Sequence, residues 1–227
     1  MTLGIIFDLD GVLVDTAEYH YRAWHELGAY LGFDFQRCHN ERQKGVSRME
    51  SLEVLLAAGG ITDLNHEQKE ALAEQKNRMY LEMIAAMGES DILPGMKEFL
   101  IKVKQWGCKT ALGSSSKSGG MILERTRLAG YFDVVVDGNM VTRSKPDPAI
   151  FLEAARLLGL EAAQCIVIED AVAGIEAARA AGMYCIGIGD SDILGQADLV
   201  VSDGNRLLQA EYLHLAAQVS KRQQRRI

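Results

Sequence analysis

Short apolar runs alternate with segments of helical periodicity along most of this chain. The first run begins at Gly4, is dominated by Ile and Phe, and leads into Gly11, which is typical of a buried parallel strand that feeds a loop. Later runs with the same strand-like character are Lys109–Gly113, Phe132–Val136, Cys165–Ile168, Tyr184–Ile188 and Leu199–Val201. Helical segments separate several of these runs, so the pattern predicts an α/β fold with a parallel sheet.

The stretch after the first strand predicts helices and no convincing parallel strand until about Ile92. Its helical segments are Ala17–Leu31, Met49–Ala58 and Glu67–Ala86. A connection of roughly 80 residues between two strands is too long for a loop. We therefore predict a core domain made of 1–15 and 93–227, with an inserted small helical cap domain, 16–92, that can act as a lid.

The composition is ordinary for a globular protein, with 48% hydrophobic and 24% charged residues among 227. A formal net charge of -7 argues against a nucleic-acid groove and requires local basic sites if the substrate is an anion. No apolar run is long enough to span a bilayer, and the N-terminus enters a strand without a signal peptide. We expect a cytoplasmic monomer without nucleic-acid or membrane partners.

The cysteines are Cys38, Cys108, Cys165 and Cys185. They form no CxxC pair, and three of them lie in or beside apolar strand-like runs. This placement favours small buried thiols in a reducing compartment over disulfides or a zinc site.

Two pairs of acids follow predicted strands. Asp8 and Asp10 end the first strand, and Glu169 and Asp170 directly follow Cys165–Ile168. Because ligands bind beyond the carboxyl ends of parallel strands, both pairs are expected at one edge of the sheet. Their charges repel unless a cation or a shared proton relieves them, and oxygen ligands suit a hard cation. The alternative is that the first pair only caps the next helix.

Hydroxyls and a lysine follow the strand Lys109–Gly113, in the sequence Ser114–Gly119. Hydroxyls and backbone N–H groups at the start of a helix suit an anion, although a helix cap with a flexible loop would have the same sequence. Further on, Lys145 precedes Pro146, and the prolines fix an extended entry to a helix. A lone lysine is usually solvated, so Lys145 alone would indicate little.

The first strand and its turn resemble the first motif of the haloacid dehalogenase superfamily, Asp-x-Asp-Gly-x-Leu-x-Asp-Thr/Ser, which Asp8 to Thr16 match. The resemblance implies a Rossmann-like core in which Asp8 is a nucleophile that becomes an aspartyl-phosphate and Asp10 is the general acid/base. A covalent carboxylate intermediate divides a slow phosphoryl transfer into two steps.

The other three motifs of the superfamily have counterparts at the predicted positions. By this resemblance Ser114 and Lys145 hold the transferring phosphate, and Glu169 and Asp170 complete an Mg²⁺ site with Asp8 and the backbone carbonyl of Asp10. Two acidic pairs with an intervening serine and lysine form a much more specific pattern than one pair.

The predicted cap resembles that of the beta-phosphoglucomutase family in four segments: Asp15–His20, Arg22–Trp24, Lys44–Arg48 and Gln75–Asn77. That family interconverts beta-glucose 1-phosphate and glucose 6-phosphate through a beta-glucose 1,6-bisphosphate. The resemblance implies that a small sugar phosphate is the substrate. It also implies that Arg48, Ser116 and Lys117 hold the phosphate that is not transferred.

The resemblance implies further cap and loop residues at the site. His20 and Lys76 would sense closure and help to position Asp10, although His20 could be an ordinary partly buried histidine. Trp24 could be a sugar platform or cap packing. The predicted substrate-binding residues are Gly45, Val46, Ser47, Arg48, Trp24, Lys76, Asn77, Ser115, Ser116 and Lys117.

Two other functions use the same core. A phosphatase for small sugar phosphates would share every core motif, and a mutase differs by passing its phosphoryl group to a sugar faster than to water. A non-catalytic regulator would be expected to lack an acid or the lysine, and this sequence has them all. Ser118 stands where a better-known form of the family has Asn, which leaves the preferred sugar open.

Overall fold

The computed structural model describes residues 2–40 and 48–209. Within these ranges six parallel strands form one sheet in the order β3-β2-β1-β4-β5-β6. The strands are β1 Gly4–Phe7, β2 Lys109–Gly113, β3 Val134–Val136, β4 Cys165–Glu169, β5 Tyr184–Ile188 and β6 Leu199–Val201. The predicted α/β fold with a parallel sheet is confirmed.

Helices connect the strands and form the inserted segment. They are α1 Ala17–Tyr30, α2 Arg37–Asn40, α3 Arg48–Ala58, α4 His66–Ala85, α5 Met96–Gln105, α6 Gly119–Arg125, α7 Ala149–Leu158, α8 Val172–Ala180, α9 Ser191–Leu194 and α10 Gly204–Leu208. Within the described ranges every helix is too short or too polar to cross a lipid bilayer.

The third strand is shorter than the sequence pattern predicts. It begins at Val134 rather than Phe132, because a 3-10 turn, Ala129–Tyr131, ends at Phe132. The Phe132 ring instead packs edge-on against Phe7, with 5.8 Å between ring centroids. Aromatic residues suit strands as well as packing positions, so the sequence alone could not separate these two uses.

The chain divides between Asp15 and Thr16, and again between Met87 and Gly88, into two compact units. The larger unit holds the sheet. Its core packs Ile6 and Val167 of the central strands against Phe151 of α7 and Ile175 of α8, all at most 1% exposed. Burial of each such side chain stabilises the fold by roughly 1.5–3 kcal/mol.

The smaller unit consists of helices and has its own apolar core. Trp24 and Leu27 of α1 pack with Leu52 and Leu55 of α3 and with Ala73 of α4. The four cysteines all lie in the described residues and are free thiols; Cys38 is exposed, and the other three are buried. Burial of three thiols agrees with the prediction for the strand-like runs, whereas the prediction of a buried thiol is wrong for Cys38, which lies on the short helix α2.

Candidate active site

The register of the central strands brings the predicted motif residues to one edge of the sheet. Phe7 of β1 is level with Leu112 of β2 and with Ile168 of β4. The next residue along β1 is Asp8, whose backbone N–H donates to the Ile168 carbonyl at 3.0 Å. Parallel strands end on the same side, so Asp8 is brought together with the residues that follow Leu112 and Ile168.

Lys145 joins the two acidic pairs through its ammonium group. Its Nζ lies 2.5 Å from Asp8 Oδ1 and 2.6 Å from Glu169 Oε1, and the lysine side chain is only 10% exposed. Glu169 Oε2 accepts the backbone N–H groups of Asp170 and Ala171, each at 2.8 Å. Glu169 is therefore held on both oxygens, and Lys145 is positioned between two buried carboxylates.

The carboxylates of Asp8, Glu169 and Asp170 form a cluster in which one oxygen from each lies within 4.8 Å of the others. Asp10 is half-buried and is not part of this cluster of side-chain oxygens. That position is compatible with the prediction that Asp10 would reach a cation through its backbone carbonyl and keep its carboxylate for another role.

The electrostatics of the cluster reflect burial of negative charge. Burial raises the pKa of Asp8 well above its ordinary value; the Lys145 ammonium opposes this rise, and the charges of Glu169 and Asp10 add to it. Burial and the Glu169 charge also raise the pKa of Asp170 to about 7. For Lys145, burial disfavours the charged form, but the neighbouring carboxylates outweigh it and raise the pKa above its ordinary value.

These residues fit a divalent cation. Three carboxylates, of Asp8, Glu169 and Asp170, lie close together, and the Lys145 ammonium contacts two of them, Asp8 and Glu169. Burial disfavours the ionised forms of Asp8 and Asp170, and a bound cation would stabilise them. Carboxylate oxygens are the ligands that hard cations such as Mg²⁺ and Ca²⁺ prefer. An acidic cluster suited to a metal ion is thus present at the sheet edge.

Two glycines leave space for the acids. A Cβ at Gly11, where φ is +78°, would lie 1.9 Å from Asp170 Oδ2, and a Cβ at Gly174 would lie 1.8 Å from Glu169 Oε1. The sequence motifs draw attention to Gly11, but the importance of Gly174 was missed. A glycine in the first turn of a helix, where alanine is more favourable, was the available signal.

The stretch Ser114–Ser118 forms a hydrogen-bonded loop after β2. The buried Ser114 Oγ accepts the backbone N–H of Ser116 at 3.1 Å, and Ser116 Oγ accepts that of Ser118 at 3.2 Å. Ser116 is half-buried, whereas Ser115 and Lys117 are exposed. We call Ser114–Ser118 the serine loop.

The smaller unit brings His20, Lys76 and Trp24 together. Lys76 Nζ lies 2.7 Å from His20 Nδ1 and 4.7 Å from the centre of the Trp24 ring. Burial, with the charge of Arg48, lowers the pKa of Lys76 to about 7. The pKa of His20 is lowered first by desolvation, because protein atoms surround most of the ring, and then by the positive charges of Lys76 and Arg48. Part of the His20 side chain is still exposed to solvent. Trp24 is 3% exposed in the apolar core, which agrees with its packing interpretation.

Arg48 begins α3 and forms an ion pair with Glu74 of α4, at 3.5 Å between Nη1 and Oε2. Both side chains are about half exposed. Asn77 is half-buried beside Lys76. No sequence pattern pointed to Glu74, because its partner Arg48 lies on another helix. The predicted residues Gly45, Val46 and Ser47 lie outside the described residues.

The sequence profile of the haloacid dehalogenase-like hydrolases matches residues 2–182, which include Asp8, Ser114, Lys145 and the Glu169–Asp170 pair. The chain belongs to the haloacid dehalogenase-like hydrolase family. The family predicted from the motifs is thereby confirmed.

Relatives within the family cover nearly the whole chain. A beta-phosphoglucomutase of Bacillus subtilis is 43% identical over 93% of each chain. A phosphorylated carbohydrates phosphatase of Thermotoga maritima is 33% identical over 91% of this chain and 90% of its own. The crystal structure of a beta-phosphoglucomutase from Clostridium difficile has a TM-score of 0.82 and 38% identity, covering 97% of this chain and 98% of that chain. The resemblance to the beta-phosphoglucomutases is confirmed.

Proposed function

We propose that this enzyme is a phosphomutase that interconverts beta-glucose 1-phosphate and glucose 6-phosphate. The observation that carries the proposal is the 43% identity to the Bacillus subtilis beta-phosphoglucomutase across 93% of both chains. This identity spans the helical unit as well as the core. The core motifs alone are shared with other family members and would not select a substrate.

The proposed reaction begins at Asp8. One of its carboxylate oxygens attacks a phosphoryl group of beta-glucose 1,6-bisphosphate; an O–P bond forms to Asp8 as the bond to the sugar oxygen breaks. Lys145, between Asp8 and Glu169, provides positive charge for the nucleophile and for the phosphoryl oxygens. The Ser114 hydroxyl donates a hydrogen bond to the phosphoryl oxygens. Asp10 gives its proton to the leaving sugar oxygen.

The second half-reaction reverses these roles on the other end of a glucose monophosphate. The sugar hydroxyl attacks the aspartyl-phosphate, Asp10 takes the hydroxyl proton, and Asp8 leaves as a carboxylate. Asp8, Glu169, Asp170 and the Asp10 carbonyl would hold Mg²⁺, which neutralises charge on the phosphoryl group when bound.

The phosphate that is not transferred needs its own charged partners. We assign that phosphate to Arg48, Ser116 and Lys117. The roles of His20, Lys76, Trp24, Asn77 and Ser115 stay predictions, as do a cytoplasmic location and a monomeric state.

Hydrolysis is the second candidate function, because the Thermotoga maritima phosphatase is 33% identical over 91% of this chain. It would use the same aspartyl-phosphate and differ only in the acceptor, water. The two functions predict different products from one substrate.

The deciding experiment supplies purified enzyme with Mg²⁺, beta-glucose 1-phosphate and a trace of beta-glucose 1,6-bisphosphate. We expect glucose 6-phosphate with little free phosphate, and no product when the alpha anomer is used instead. Asp8→Asn is the matched control, because the amide is nearly the same size but cannot attack phosphorus. Release of free phosphate as the main product would contradict the mutase function and support the phosphatase function.

A further inference from the structure

The turn after β3 lies directly against the serine loop. Ser114 donates its backbone N–H to the Val136 carbonyl at 3.1 Å, and Gly138 donates its backbone N–H to the Ser116 carbonyl at 3.1 Å. A third bond comes from a side chain: Asn139 Nδ2 donates to the Lys117 carbonyl at 3.0 Å. The serine loop is therefore held along its length by Val136–Asn139.

The contact is close enough to exclude a side chain at Gly138. A Cβ there would lie 2.3 Å from the Ser115 carbonyl oxygen and 3.0 Å from its carbon. Both of these are backbone atoms, which cannot swing away as the end of a flexible side chain can. The turn and the serine loop must therefore move together or lose their hydrogen bonds.

The orientation of the Asn139 amide is fixed by Asp137. Asp137 Oδ1 accepts the Asn139 backbone N–H at 2.9 Å, and Asp137 Oδ2 accepts from Asn139 Nδ2 at 3.2 Å. One amide group thus has a partner for each of its two N–H bonds, the carboxylate of Asp137 and the carbonyl of Lys117. An aspartate at this position would place oxygen against both acceptors.

These bonds set which way the peptide groups of the loop face. The carbonyls of Ser116 and Lys117 point towards the turn. Because a trans peptide is planar, the N–H groups of Lys117 and Ser118 point the opposite way. The backbone from which the Ser116 hydroxyl and the Lys117 ammonium extend is thereby held in one arrangement.

We propose that Asn139 is a positioning residue for substrate binding: it holds Ser116 and Lys117 where they receive the phosphate that is not transferred. The assignment rests on the proposed function, in which Ser116 and Lys117 bind the phosphate that is not transferred. Asn139 itself is exposed at the surface and acts through the Lys117 carbonyl. It has no direct role in the attack by Asp8.

The test compares Asn139→Asp and Asn139→Ala with wild type and with Met140→Ala. Met140 is in the same turn and 50% exposed, so its truncation is a matched control. For beta-glucose 1-phosphate we expect kcat/KM of both Asn139 variants to fall by roughly tenfold, mainly through a higher KM. Phosphorylation of Asp8 by acetyl phosphate, which has no second phosphate, should stay within about twofold of wild type.

A double mutant makes the test specific. In a Lys117→Ala background, Asn139→Ala should reduce kcat/KM by much less than it does alone, because the group that it positions is already gone. Wild-type kinetics for Asn139→Asp and Asn139→Ala, or an equal loss with acetyl phosphate, would overturn the positioning role. The proposed function is judged separately, by whether wild type forms glucose 6-phosphate; if it hydrolyses a sugar phosphate instead, the same variant ratios are measured on that substrate.

Discussion

Gly174 is a single residue on which the acidic cluster depends. Its position in the first turn of α8 leaves room for Glu169, and a Cβ there would lie 1.8 Å from Glu169 Oε1. In a helix, alanine is more favourable than glycine by roughly 1 kcal/mol. Helix stability therefore favours alanine at this position, whereas the space that Glu169 occupies requires glycine.

We predict that Gly174→Ala displaces Glu169 from Lys145 and raises the Mg²⁺ concentration for half-maximal activity by roughly tenfold or more. A titration of activity against Mg²⁺ checks this. Gly120→Ala is the control, because Gly120 is also helical but a Cβ there would meet nothing within 4 Å. If Gly174→Ala had the same Mg²⁺ titration curve as wild type, the prediction that Glu169 needs the space at Gly174 to support Mg²⁺ binding would be wrong.

Asp170 should give the metal-free protein a distinct pH dependence. Burial and the Glu169 charge raise its pKa from 3.8 to about 7. An acid whose pKa is raised by folding destabilises the folded state when ionised, and this destabilisation grows as pH rises from the unfolded value to the folded one. The neutral amide in Asp170→Asn avoids it.

Thermal unfolding in a chelator measures this effect. Asp170→Asn should have a higher Tm than wild type at pH 8, and the difference should shrink to near zero by about pH 4. Adding Mg²⁺ at pH 8 should raise the Tm of wild type more than that of the variant. Asp63→Asn, a change to an exposed acid, is the control. A difference in Tm that is equal at both pH values would contradict the assignment.

At the scale of elements, the strands were predictable because each is a short apolar run, and the motif acids lie at the ends of two of them, β1 and β4. Asp8 and Glu169 could be placed at one edge from the sequence because parallel strands end on the same side. The turn at Gly138 and Asn139 could not be matched to the serine loop, since the two segments are far apart in sequence and joined mainly through backbone atoms. No residue type specifies such a pairing.

Helix α4 carries Lys76 and begins at a capping box. Asn65 Oδ1 accepts the Gln68 backbone N–H, and Gln68 Oε1 accepts that of Asn65, both at 2.9 Å. We predict that Asn65→Ala lowers the free energy of unfolding by about 1 kcal/mol, whereas Asn65→Asp preserves it. Denaturant unfolding checks both values. Equal stability of the alanine variant and wild type would mean that solvent replaces the cap without loss.

At the scale of the whole molecule, the two units contribute different parts of the proposed function. The larger unit contains Asp8, Lys145 and the acidic cluster, to which we assign phosphoryl transfer to and from the enzyme. The smaller unit contains Arg48, which we assign to the phosphate that is not transferred. A sugar bisphosphate has such a phosphate, whereas an acyl phosphate does not. Reaction with an acyl phosphate should therefore depend on the larger unit, and interconversion of sugar phosphates on both.

Arg48→Ala tests this division. The Arg48 side chain is about half exposed, and in the proposed complex the sugar phosphate would pair with it and bury it. Loss of one partner of such a buried charge pair typically costs about 2–5 kcal/mol, or roughly 30-fold to several thousand-fold in rate. We expect such a fall in the interconversion of glucose phosphates, with phosphorylation by acetyl phosphate unchanged. Arg37→Ala is the control, because Arg37 is an exposed arginine of the same unit whose ion pair is with Glu18. Wild-type interconversion by Arg48→Ala would exclude the phosphate role, and a parallel loss of acetyl phosphate reactivity would mean that Arg48 supports the fold or the core site instead.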